Sequence, residues 1–179
     1  MASESHVSAE KLQGAVDEVK GRNLWDELFK IRDEQRAAQD KAVWLVKGSE
    51  IPWEYNAHGK MRWYLHPSLK SRCLNSLNIY IQEIPPGSRS GRVKHPGNAV
   101  IRILQGEGYT VMDGQKYHWS KNDVLQVPLR ARGTVFQHFN TSAEEPVQLT
   151  FVEPNHVHSY GLDRQCGFEQ LEACPEFHR

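Results

Sequence analysis

The chain has 179 residues, 39% of them hydrophobic and 25% charged, which suits one folded core with an extension and excludes a disordered polypeptide. Its 22 Lys and Arg balance 22 Asp and Glu, so it lacks the positive field that drives nucleic-acid binding through phosphate neutralisation. No apolar run approaches the roughly 20 residues of a membrane span, and the opening MASESHVSAEKLQG has neither the basic nor the apolar region of a leader. A cytoplasmic protein without nucleic-acid or membrane partners is expected, and Cys73, Cys166 and Cys174, odd in number and without CxxC spacing, are expected as reduced thiols.

Residues 1–22 are polar, with small residues and glycines, and bury too little apolar area to offset their ordering entropy, so a flexible tail or weak helix is expected. From Asn23 the pattern changes. Leu24, Trp25, Leu28, Phe29 and Ile31 fall at helical spacing among charged residues, predicting an amphipathic helix from Leu24 to about Ala42. Asn23 is placed to cap it, and Asp26 and Glu27 complement the dipole at its start. Its apolar face must pack on its own core or on a neighbouring chain, since a lone helix of this length is marginal in water. Residues 43–70 hold Trp44, Trp53, Tyr55, Trp63, Tyr64 and His66 with little sustained period, so the helix and an aromatic-rich arm together occupy 23–70.

A period of two then begins. Leu77, Ile79 and Ile81 alternate with Asn78, Tyr80 and Gln82 before a stop at Pro85-Pro86-Gly87, and the same signal recurs at 99–105, 109–112, 115–119, 124–127, 135–140 and 147–152. Asp113-Gly114 supplies the positive φ angles of a tight hairpin turn. Many short strands with regular turns predict a mainly β protein: a sandwich or barrel over 71–153, with a tail over 154–179 that lies on it and holds one short candidate helix at 168–173.

The segment from Pro85 to Asn140 resembles the two motifs of the cupin family and the strands between them. The likeness rests on Pro86-Gly87, the Leu104-Gln105-Gly106-Glu107-Gly108 turn, Asp113-Gly114, Asn122-Asp123 in place of the usual Gly-Asp, Pro128, and His138-Phe139-Asn140; their order and spacing are similar to the gentisate dioxygenase branch. The resemblance implies a single jelly-roll-like antiparallel cupin barrel behind an N-terminal helical arm. In a metal-binding cupin, an HxH pair, a nearby oxygen donor and a histidine four residues before the closing Asn hold Fe(II). Here the HxH positions read Val93-Lys94-His95, the oxygen position lies among Gly97, Asn98 and Ala99, and Phe136 stands four residues before Asn140. His95 alone is in place. His138 swinging inward and the Asn98 amide would complete only a weak ferrous set, and ordinary structural roles, His95 on a turn before Pro96 and His138 bonded across the barrel, are the competing reading.

The chain further resembles the small subunit of the hydroquinone 1,2-dioxygenases. That likeness implies a metal-free chain paired with a larger catalytic cupin subunit, as a heterodimer or α2β2 heterotetramer. Iron would sit on the partner, and a small phenol would be opened to a hydroxymuconic semialdehyde. Trp53, Arg62, Trp63, Tyr64 and His66 form the densest aromatic and cationic cluster and are the candidates for subunit contact or for the substrate pocket, since such residues are enriched where protein surfaces meet. Trp63 would wall off an aromatic substrate in a partner's cavity or pack over its own barrel. The basic stretch Arg130-Ala131-Arg132-Gly133 rims the barrel mouth or is a solvated turn. Two other functions fit the same residues: a self-sufficient metal enzyme using His95, His138 and His66, and a metal-free cupin that binds a small apolar or aromatic ligand.

Overall fold

The computed structural model describes residues 8–161 and 166–178. The first part of the expected N-terminal tail and positions 162–165 of the expected C-terminal tail lie outside the described residues. The chain divides into two compact units, residues 1–42 and residues 43–179.

The first unit is helical. Helix α1 (Ala9–Val19) is capped by Ser8, whose hydroxyl accepts from the Lys11 amide, so within the described part of the expected tail a regular helix forms. Helix α2 (Leu24–Asp40) starts where the sequence predicts: the Asn23 side chain accepts from the Asp26 amide at 3.2 Å. No residue of either helix is buried, and Trp25 and Leu28 stay largely exposed.

The second unit contains eleven strands in two antiparallel sheets among the described residues. After a single 3-10 turn at Gly48–Glu50 come β1 (Glu54–Asn56), β2 (Gly59–Leu65), β3 (Leu77–Ile84), β4 (Arg92–His95), β5 (Ala99–Gln105), β6 (Glu107–Met112), β7 (Gln115–Ser120), β8 (Val124–Val127), β9 (Thr134–Asn140) and β10 (Val147–Pro154). A four-residue helix α3 (Val157–Tyr160) and β11 (Glu169–Glu172) follow. The six-stranded sheet runs β1-β2-β3-β10-β5-β8 and the five-stranded sheet β11-β4-β9-β6-β7. Their inner faces form one core that includes Ile84, Ile101, Ile103, Phe136, Leu149 and Phe151. This is the expected mainly β, jelly-roll-like fold.

Two expectations need correction. The aromatic arm is part of the sheet: β2 pairs with β3 from Lys60↔Glu83 to Leu65↔Ile79, so the β unit begins near residue 43 rather than at 71. The short helix expected at 168–173 is instead strand β11, because the edge of β4 offers it backbone partners at Glu169↔Lys94 and Gln170↔Val93 that so short a helix would lack. On β3 the period of two is as read, and the face that carries the polar side chains is the buried one. Asn78, Tyr80, Gln82 and Ile84 are buried and Leu77, Ile79 and Ile81 are half-buried, because the buried neighbours on β10 face the polar set: Glu153↔Asn78, Phe151↔Tyr80, Leu149↔Gln82.

Two turns carry the strand order. Asp113 (φ 49°) and Gly114 (φ 83°) make the expected tight hairpin between β6 and β7, with six register pairs from Glu107↔Ser120 to Met112↔Gln115. Asn122 also has a positive φ of 76°, a conformation that Asn adopts more readily than most other side chains.

Candidate functional site

Between the sheets lies a cavity of about 280 Å³, bordered by β2, β3 and β10 on one side and β4, β9 and β11 on the other. Rings form its wall. Tyr80 stacks on Phe151 at 4.9 Å between centroids, Trp63 leans on Tyr80 at 4.7 Å, and Phe136 lies parallel to Phe151 at 6.4 Å. These contacts follow from the register, since Tyr80 and Phe151 are direct cross-strand partners.

Polar groups interrupt the ring wall at one cluster. His95, at the end of β4, is 6% exposed and packed edge-on against Phe151 (5.3 Å) and Phe168 (5.7 Å). The Gly97 amide donates to His95 Nδ1 at 2.9 Å, which leaves the ring proton on Nε2, 3.4 Å from Glu153 Oε2. Asn78 Nδ2 donates to the other carboxylate oxygen, Glu153 Oε1, at 3.0 Å. Gly97 must be glycine here: its φ is +86° and a Cβ would collide with the Pro128 carbonyl. Burial, and then the neighbouring Glu153 carboxylate, push the Tyr80 hydroxyl well above its ordinary range, so it stays a neutral phenol at the cavity wall.

His58, on the turn joining β1 to β2, also borders the cavity, and composition gave no hint of it. The Asn56 carboxamide accepts from the His58 and Gly59 amides, while Gln82 and the Gly91 amide bond the His58 carbonyl. Burial and the nearby His95 hold the His58 imidazole down at about 4, partly offset by the Gly91 backbone nearby. The signal for it was the Asn56-Ala57-His58-Gly59 turn, recognisable as a hairpin only once β1 and β2 are known to be strands.

The expected metal remnants do not converge. His95 is on a strand end rather than a free turn. His138, 2% exposed, faces its direct cross-strand partner Thr110, whose hydroxyl lies 2.7 Å from His138 Nδ1 and accepts from Trp119 Nε1 at 2.9 Å. It is therefore tied to the adjacent strand, not across the barrel, and burial, with His58 nearby, lowers it to about 3. Asn98 is exposed and points no donor at the cavity's lining. Val93 and Phe136, a direct pair between β4 and β9, both line the cavity. Among the described residues no three His, Cys, Asp or Glu side chains converge to hold an ion. This donor set does not fit a three-imidazole ferrous centre.

The aromatic and cationic cluster divides. Trp63 packs over its own barrel, bordering the cavity together with His66, whose ring lies 4.7 Å from it; His66 Nδ1 is 2.7 Å from the Ser68 hydroxyl. Trp53 lies on a separate groove and carries Arg62 at 4.1 Å and Lys60 at 4.5 Å over its ring. Tyr64 packs its hydroxyl against Gly48. Arg130 bonds Asp113 at 2.6 Å, so the basic stretch braces the hairpin turn. Cys73, Cys166 and Cys174 are thiols.

With the geometry established, comparison with known proteins is informative. Residues 80–153 match the family model described as the cupin domain. Over that stretch the chain is similar to a cupin domain. The match covers under half of the chain, and β1, β2 and β11 add to the sheets from outside it. Among solved structures, a predicted oxalate decarboxylase from Thermotoga maritima is 25% identical with a TM-score of 0.50, covering 60% of this chain and 96% of its own. The polyketide cyclase RemF from Streptomyces resistomycificus is 13% identical with a TM-score of 0.52 (76% and 87% covered), and the vicilin from Solanum melongena is 21% identical with a TM-score of 0.53 (66% and 32%). A search of curated proteins returns no sequence match. No helix among the described residues is long and apolar enough to cross a membrane.

Proposed function

We propose that this chain is a metal-free cupin subunit of an Fe(II)-dependent dioxygenase that opens a phenolic ring, of the hydroquinone 1,2-dioxygenase type, and that its own cavity accepts a small phenol. The iron, and the oxygen chemistry that it supplies, belong to a larger cupin partner. The observation that carries this reading is the ring-walled cavity, lined by the paired residues Val93 and Phe136, which stand where the sequence resemblance puts metal-ligating histidines. About 280 Å³ lies at the lower end of ligand cavities and suits one six-membered ring. Tyr80, Phe136 and Phe151 offer flat apolar faces, and the Asn78, Glu153 and His95 cluster offers polar contacts for a hydroxyl.

The test is metal analysis of the purified chain, alone and after co-expression with a larger cupin encoded beside its gene, followed by oxygen uptake with hydroquinone. Iron and uptake that arise only in a co-purified complex support the subunit reading. Stoichiometric iron and turnover in the isolated chain overturn it, in favour of a self-sufficient enzyme with a different ligand set.

A further inference from the structure

Two buried hydrogen-bonding atoms on the cavity lining have no partner. Asn78 is 4% exposed; its Nδ2 is committed to Glu153 Oε1, yet its Oδ1 is shielded from solvent with nothing to accept from. His58 Nδ1 is likewise covered and without a hydrogen bond. Orphaned polar atoms are rare inside folded proteins, because each loses its water without recovering a bond, and an orphan that borders a cavity asks for a group inside that cavity. The Asn78 amide cannot rotate to relieve the deficit, since turning Oδ1 toward Glu153 would set two acceptors against each other. His95 cannot serve it either, because its Nε2 hydrogen faces Glu153.

We propose that Asn78 and His58 are specificity-determining residues that read two hydroxyl groups of a monocyclic arene held between Tyr80, Phe136 and Phe151. One ligand O–H donates to Asn78 Oδ1, and the second bonds His58 Nδ1. Glu153, held by His95 on one oxygen and by the Asn78 amide on the other, fixes the orientation of Asn78 and acts as its positioning residue. This rests on the reading of the cavity as an arene site, and it adds which atoms tell a dihydroxyarene from a phenol and from an unhydroxylated ring.

The experiment is calorimetric titration of the full chain with hydroquinone, phenol and fluorobenzene, for the wild type and for Asn78→Leu and His58→Phe. Hydroquinone is expected to bind the wild type at least tenfold more tightly than fluorobenzene, with phenol between them. Each variant should weaken hydroquinone about tenfold and leave fluorobenzene within twofold; His58→Phe decides alone if circular dichroism shows that Asn78→Leu does not fold. Equal losses for all three ligands, or undiminished hydroquinone binding in the variants, overturn the assignment of the two residues while the arene site stands. A wild-type chain that binds none of the three overturns the arene site as well, and leaves ordered water as the partner of the two atoms.

Discussion

Phe136 is 1% exposed and stands among Phe151, His95 and His138. Its truncation to alanine is expected to cost about 3–5 kcal/mol, read as a lower urea midpoint at unchanged slope, because the surrounding strands collapse only partly on the void. The two depressed histidines make a second expectation. His58, at about 4, and His138, at about 3, are neutral in the native protein, whereas their unfolded counterparts take up protons below about 6.5. The unfolded state thus binds more protons as pH falls, so their stabilisation is complete above pH 6.5 and is lost progressively toward pH 4 and below. Each such proton contributes at most about 1.4 kcal/mol per pH unit in that window. Denaturant midpoints measured from pH 7 to pH 4.5 should decline, more shallowly in His138→Gln; a flat profile would show that neither ring is buried neutral. Val93, Phe136 and His95 could be singled out in the sequence because motif spacing fixes them. Asn78, His58 and Glu153 could not, because what singles them out is the cavity that two paired strands and a turn, distant in the chain, build together, which no local pattern encodes.

At the level of single elements, the hairpin between β6 and β7 is anchored by Asp113. Its Oδ1 accepts from the Val135 amide at 2.9 Å, its Oδ2 from Arg130, and its own amide donates to the Val135 carbonyl at 2.8 Å. Asp113→Ala is expected to destabilise by about 1–2 kcal/mol, since it strips the Val135 amide of its side-chain acceptor. Arg130→Ala should lie within about 0.5 kcal/mol of wild type, because its half-exposed ion pair is screened by solvent. Thermal or urea unfolding of the two variants side by side checks the ordering. The strands from β5 to β10 could be read from periodicity and turn residues. Strand β3 could be read in period but not in phase: Leu77, Ile79 and Ile81 look like the core face, yet the pairing with β10 turns Asn78 and Tyr80 inward. Strand β2 was hidden because Met61, Arg62, Trp63 and Tyr64 do not alternate in polarity, and β11 because its partner strand lies about 75 residues earlier in the chain.

For the molecule as a whole, the two units differ in how much they bury. The helices of residues 1–42 contribute no buried residue, while residues 43–179 hold the entire core among the described residues. A chain of residues 43–179 is therefore expected to unfold cooperatively with a stability within about 0.5 kcal/mol of the full protein, as surface changes usually are. A large fall in its midpoint would overturn that expectation. If the subunit proposal holds, the same truncation should weaken co-purification with the larger cupin, since Trp25, Leu28 and Phe29 would lose their docking role.

The pairing of Val93 with Phe136 on one rung of the adjacent strands β4 and β9, two rungs from His95 and Thr134, has a consequence for how freely this scaffold can change trade. Trading those two side chains for imidazoles would leave the strand pairing as it is, and an oxygen donor would still have to be supplied, since Asn98 is exposed and does not border the chamber. Interconversion of a binding barrel and a metal-bearing barrel is then a short mutational walk, along which the main toll is the packing volume that Phe136 supplies.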